Sequence, residues 1–152
     1  ALEHVTITGN TASRGGGVYV GSTVLARYVP IYMQNTMVTD NTGGDCNTIN
    51  TRWSNSFIGY TNFNEDGTCG LPRADHVVGL PADLGPLVSQ GGLTFGHEPG
   101  PKGFARGKGV NCAADDQGFN ARPTKLCAIG AVEPLPMGNQ RVDQPADTLK
   151  EE

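Results

Sequence analysis

The sequence predicts an all-β fold: a short parallel β-solenoid of about two to three turns, followed by a disulfide-stapled, loop-rich C-terminal cap. Three observations predict it. The segment "VTITGNT" (5–11) returns as "MVTDNT" (37–42), so a short strand is closed twice by the same Asn-Thr corner. Apolar and polar residues alternate with period two in the first part of the chain, and no segment carries the pattern of a long amphipathic helix. Four cysteines, Cys46, Cys69, Cys112 and Cys127, form no Cys-x-x-Cys or Cys/His cluster of zinc-site spacing, which reads as two structural disulfides.

Residues 1–70 are expected to form the solenoid turns. Val5 and Ile7 alternate with Thr6 and Thr8, and Val18 and Val20 flank Tyr19, as in short half-buried strands. Between them lie corners such as "GNTASRGGG" (9–17), "GST" (21–23) and "DNTGGD" (40–45), rich in residues that tolerate left-handed backbone. Aligning "ITGNT" with "VTDNT" gives an offset of 31, and aligning Asn41 with Asn62 gives 21. A loose period of this size suits stacked turns, each burying its inner side chains on the next. A Greek-key sandwich would also show short strands, but would not need the same corner after an equivalent strand. An Asn at such a corner can take left-handed geometry and stack its amide on the Asn of the next turn.

Residues 71–133 carry a proline or glycine every few positions and read as a mostly irregular cap of the same domain, credible only if stapled onto the turns. Residues 134–152 are polar, proline-broken and acidic at the tip, which predicts an extended or disordered tail. Order along the chain and modest loop length predict the bridges Cys46–Cys69 and Cys112–Cys127, and hence an oxidising compartment, periplasmic or extracellular. Ala1 leads directly into a strand-like pattern, so the start reads as a cut or matured end.

Net charge is −4 with 11 Lys and Arg, which disfavours nucleic acid and anionic membrane as partners. No apolar run approaches the roughly 20 residues of a membrane span. Twenty-two glycines and ten prolines, spread along the chain, imply many turns.

The order of motifs "GNTASRGGGVYV", "NTGGDC", "NFNEDGTCGL", "ADLGPLVSQGGLTFGHEPG", "CAADDQGFNARP" and "CAIGAVE" resembles the C-terminal part of bacterial surface proteins with right-handed parallel β-helix repeats and a choice-of-anchor Q domain. The resemblance runs from Leu2 to Glu133, and its last two motifs are the specific ones. It implies a right-handed parallel β-helix similar to pectate-lyase-like solenoids, export to the cell surface or exterior, and no particular chemistry.

The residues themselves select no reaction. A β-helix lyase gathers carboxylates around Ca²⁺ and sets a cationic base beside the sugar. Asp40, Asp45, Glu65, Asp66, Asp75, Asp83, Asp115 and Asp116 are scattered, as are Arg14, Arg27 and Arg52. Asp45 and Asp66 read as turn caps beside their cysteines, and Asp116, Gln117 and Arg122 as a buried polar knot with Arg122 on carbonyls or on Asp116. His4, His76 and His97 share no spacing, and "GGGVYVG" lacks the following helix of a phosphate cradle. Trp53, Tyr19, Tyr28, Tyr32 and Tyr60 are candidates for a sugar-stacking platform, with core or interface packing the commoner role for such residues. No catalytic residue, cofactor or metal is assigned.

Two functions from different classes follow. The first is a non-catalytic structural or interaction module of an exported assembly, binding other protein chains, or itself, through the open end of the solenoid at Leu2, Val5 and Ile7. The second is a polysaccharide-binding or polysaccharide-degrading β-helix protein. Scatter of the charged residues favours the first.

Overall fold

The computed structural model describes residues 1–21, 30–48, 57–90 and 94–134. Arg27, Tyr28, Arg52, Trp53 and the expected tail from 135 onward lie outside them. The described residues form eleven strands and no helix: β1 (Leu2–Glu3), β2 (Thr6–Thr8), β3 (Val18–Val20), β4 (Ile31–Gln34), β5 (Met37–Thr39), β6 (Cys46–Thr48), β7 (Phe57–Tyr60), β8 (Phe63–Asn64), β9 (Val77–Val78), β10 (Leu84–Ser89) and β11 (Phe95–Pro99). The protein is all-β.

Strands of the first part recur in threes. β1, β4 and β7 pair side by side, β2 pairs with β5, β5 with β8 and β8 with β9, and β3 pairs with β6, all in parallel. The repeat read from the Asn-Thr corners is the observed register: Thr6 faces Met37 and Thr8 faces Thr39, an offset of 31, and Thr11 bridges Thr42. The second alignment is corrected. Met37 faces Phe63, so the next offset is 26 and Asn62 lies opposite Thr36 rather than Asn41. The shortening is already present upstream, where Val18 faces Cys46 at an offset of 28 and Ile31 faces Phe57 at 26. Further along, side chains take over bonds that backbone makes one step earlier: Asp66 accepts from the Asp45 N–H at 2.9 Å and Thr68 Oγ1 from the Cys46 N–H at 2.8 Å.

Alternation places Met33, Val38, Cys46, Phe57, Cys69, Leu71 and Val78 in one buried cluster, with Leu2, Ile7, Val18, Val20 and Ile31 packed against it. The strands are not simply half-buried, however. All three residues of β5 are buried, because Met37 and Phe63 on the other face of the second sheet pack on Ala82, Ala105 and Ile129 of the cap. The second sheet therefore has an apolar core on both sides, which alternation alone does not announce.

Among the described residues of 71–133 only β9, β10 and β11 are strands, and the remainder is turns, bends, isolated bridges and irregular chain. β10 and β11 form an antiparallel hairpin, a feature the sequence does not announce, and its strands are the longest described. Its Leu87, Val88 and Phe95 are exposed, while Leu84 packs on the second core cluster and Gly96 and Pro99 are buried, so cross-strand pairing and one packed side hold it together. The stapled segment packs against the strands of the first part. It runs beside the corner that joins the first and second sheets and reaches the first strands, with the Ala113 N–H donating to His4 Nε2 at 3.2 Å and the Ala131 N–H to Thr6 Oγ1 at 3.0 Å.

Disulfides join Cys46 to Cys69 and Cys112 to Cys127, closing separations of 23 and 15 residues. By loop entropy each should contribute about 3 kcal/mol. Peptide mapping without reductant should return these two pairs, and a Cys69–Cys112 peptide would contradict the arrangement.

Candidate functional site

Two ladders run along the corners. At the first, His4, Asn35 and Thr61 follow β1, β4 and β7 and share left-handed backbone, with φ of 52°, 47° and 48°. At the second, the left-handed residues are Gly9 and Asp40, with φ of 71° and 57°, one step before the asparagines expected to take that role. The amide stack itself is present: Asn10 donates from its backbone N–H and its Nδ2 to Asn41 Oδ1 at 3.0 and 3.1 Å. Asn41 Nδ2 in turn donates to the carbonyls of Ile7 and Thr39 and to Asp45 Oδ1.

Asp45 is buried and accepts from Asn41 on one oxygen and from Asn64 Nδ2 at 2.8 Å on the other. Burial raises its pKa against these bonds. For Asp66 the balance reverses: burial pushes upward, but donors from Thr68, Asp45 and Asn64 hold the carboxyl below the ordinary value. Both carboxylates close turns beside the Cys46–Cys69 bridge. Glu65 accepts from Thr39 Oγ1 and Asp83 from the Lys102 N–H. Among the described residues no three His, Cys, Asp or Glu side chains could hold a metal ion together.

The structure brings Asp116, Gln117 and Arg122 into one region, around a fourth residue. Asp116 Oδ1 accepts from the N–H groups of Gly118 and Asn120 at 2.8 Å each, and its Oδ2 from the Glu133 N–H at 2.9 Å. Arg122 donates to the carbonyls of Ala128 and Gly130, while its ion partner is Glu133 Oε2 at 3.0 Å, not Asp116. Gln117 lies at the rim, bonded to the Phe95 carbonyl. Glu133 closes the quoted motif "CAIGAVE", directly after Ala131 and Val132, and nothing in that run marks it as the partner of Arg122.

A groove of about 540 Å³ opens between the first corner and the cap. One wall is Tyr60, Thr61 and the segment 74–77, the other is Lys108, Val110 and Asn111, and Ile129 completes it. Asn35 fixes the second wall: its Nδ2 donates to the Val110 carbonyl at 2.6 Å and its Oδ1 accepts from the Val110 N–H at 3.1 Å. Sequence reasoning passed over Asn35, although "NT" at 35–36 is the same corner signal as at 41–42. Among the described tyrosines, Tyr60 alone lines the groove. Tyr19 is on the third sheet; Tyr32 is half-buried and donates to Gln34 Oε1 at 3.2 Å; Tyr60 is 60% exposed at the groove. Arg14 is exposed in the loop before β3.

Two histidines in this region bind as neutral acceptors. His4 Nε2 takes the Ala113 N–H, and His76 Nδ1 takes the Asn62 N–H at 3.1 Å. Burial is the main force lowering both pKa values below 6.5, helped at His4 by nearby Arg122 and opposed at His76 by Asp75. On acidification the unfolded chain therefore takes up protons first. This part of the stability is complete above about pH 6.5 and is lost as pH falls toward the folded pKa values. We expect the melting temperature to drop from pH 7 to pH 5, with a shallower slope in His4→Gln and His76→Gln, which keep an acceptor that does not titrate. Equal slopes in all three proteins would contradict this.

No protein-family model, curated protein or solved structure matches this chain.

Proposed function

We propose that this chain is a short right-handed parallel β-helix module, non-catalytic, in an exported bacterial surface or extracellular assembly of the choice-of-anchor Q kind, and that it binds other polypeptide through the edge formed by its first three strands. One observation carries the interaction reading: among the described residues β1, β2 and β3 each have a strand partner on one side only, and all three belong to the same triplet. Leu2, Val5 and Ile7 around that edge are only partly buried. Such an edge presents free N–H and C=O groups in the spacing that strand addition uses. The recurrence of strands in threes supports the β-helix, and the right-handedness of parallel crossovers supports its hand. Export is supported by the two disulfides, and no described helix is long and apolar enough to cross a membrane.

Light scattering on purified protein tests the edge. The wild type should self-associate or melt low, and Val5→Lys or Ile7→Lys should return it to a monomer with an unchanged circular-dichroism spectrum. A monomer of high melting temperature with slow hydrogen exchange over residues 2–8 would overturn the reading.

A further inference from the structure

We propose that the groove between Tyr60 and the 108–111 segment is a binding site for a neutral pyranoside oligosaccharide. Its volume, about 540 Å³, is that of a site for a small ligand rather than for a protein segment. At its mouth stands a large aromatic ring left 60% exposed, although a strand-end tyrosine could have packed on the cap. Beside it across the strand pair lies Gln34, whose Nε2 donates to the Val110 and Asn111 carbonyls at 3.4 and 3.5 Å. Val77 and Ile129 add apolar surface within. A ring and an apolar floor suit the C–H face of a sugar.

Charge narrows the ligand. Lys108 and Asp75 both line the groove and oppose each other, and His76 is held neutral by the Asn62 N–H at its Nδ1, which leaves Nε2 carrying the proton. An ion of either sign meets its like charge there, and an anionic chain also meets a protein of net charge −4. Hydroxyl groups both donate and accept, and they match the mixture of donors and acceptors on Lys108, Asp75, Thr61 and Asn111. The walls are also preformed. Thr61 and Asn111 hold left-handed backbone at φ of 48° and 51°, an uncommon state for a β-branched threonine, and the cap wall is pinned by Asn35 and by the Cys112–Cys127 bridge. Walls fixed in this way lower the ordering cost of binding.

Amide NMR titration of the whole chain provides the test, with cellotetraose, xylotetraose, mannotetraose and chitotetraose as probes and tetragalacturonate as the charged comparator. At least one neutral probe should give saturable shifts confined to residues 60–61, 75–77 and 108–111, with Kd on the order of 0.1 to 1 mM. Tetragalacturonate should bind at least about ten-fold more weakly. Tyr60→Ala should weaken binding about ten-fold while Tyr60→Phe stays within about two-fold. Lys108→Ala, at an exposed position, repeats the test if Tyr60→Ala does not fold. Absence of shifts with all the neutral probes at about 10 mM, binding that survives these alanines, or preference for tetragalacturonate would overturn the proposal. Scattering reads the strand edge and titration reads the groove, so either proposal can fail alone.

Discussion

Gly59→Ala should fail to give a folded protein, or should lose about 4 kcal/mol or more by thermal or urea denaturation. Gly59 sits in β7 directly opposite Met33 of β4, with φ of +137°. A methyl group built there would lie 1.6 Å from the Met33 carbonyl oxygen and 2.7 Å from its carbonyl carbon. These are backbone atoms in the middle of a parallel pair, so no side-chain rotation relieves the overlap, and separating the strands opens the core beneath Met33 and Phe57. Gly9→Ala is the control. Gly9 is also left-handed, at φ +71°, but an added Cβ meets nothing within 4 Å, so only the backbone preference of about 1 kcal/mol is lost. Near-equal losses in the two variants would mean that β7 does not pair with β4 in this register.

The legible part of the fold was what one turn does alone. Period-two alternation located β2 and β3, and the Asn-Thr corner gave the 31-residue register and the Asn10–Asn41 stack. What pairs of turns do to each other was harder to read. The offset of 26 was missed because Asn62 resembles Asn41 in sequence while its backbone N–H is bound by His76, and its side chain reaches back to the Met33 carbonyl at 2.9 Å. Polar side chains replacing backbone partners leave no periodic trace. The hairpin within the cap is hidden for a related reason. "LGPLVS" and "FGHEP" contain the prolines and glycines of loops, yet Pro86 occupies a hairpin strand at the bulge between Leu84 and Leu87, where its missing N–H breaks no regular pairing. Of the candidate site, Tyr60, Asp75 and His76 stand out in the sequence only as scattered residues. The groove that joins them to Lys108 depends on Asn35 holding Val110, 75 residues away in sequence, and nothing local encodes that contact.

Arg122→Met should cost about 3 to 5 kcal/mol, read as a shift of the urea midpoint at unchanged slope. The guanidinium side chain is completely buried, and it supplies hydrogen bonds to the Ala128 and Gly130 carbonyls and to Glu133 at 3.1, 2.7 and 3.0 Å. Methionine fills much of the volume, so the loss is chiefly electrostatic: two carbonyls lose their donor, and the Glu133 carboxylate, already pushed upward in pKa by burial, loses the cation that opposes that push. The damage should therefore depend on pH. In the variant Glu133 will rise further and bind a proton more readily in the folded state, so the destabilisation should be smaller at pH 5 than at pH 7. Adding Glu133→Gln removes the buried charge while keeping an acceptor for the Ala128 N–H, which Glu133 Oε2 now binds at 2.8 Å. The double variant should recover about 1 to 3 kcal/mol of the loss, and its pH dependence over this range should flatten. The consequence reaches the proposed groove, because the 127–133 segment held by Arg122 contributes Ile129 to it and carries Cys127 of the bridge that pins its other wall. A loss under about 1 kcal/mol, or a double variant no more stable than Arg122→Met, would show that the pair is not what holds this segment against the sheets.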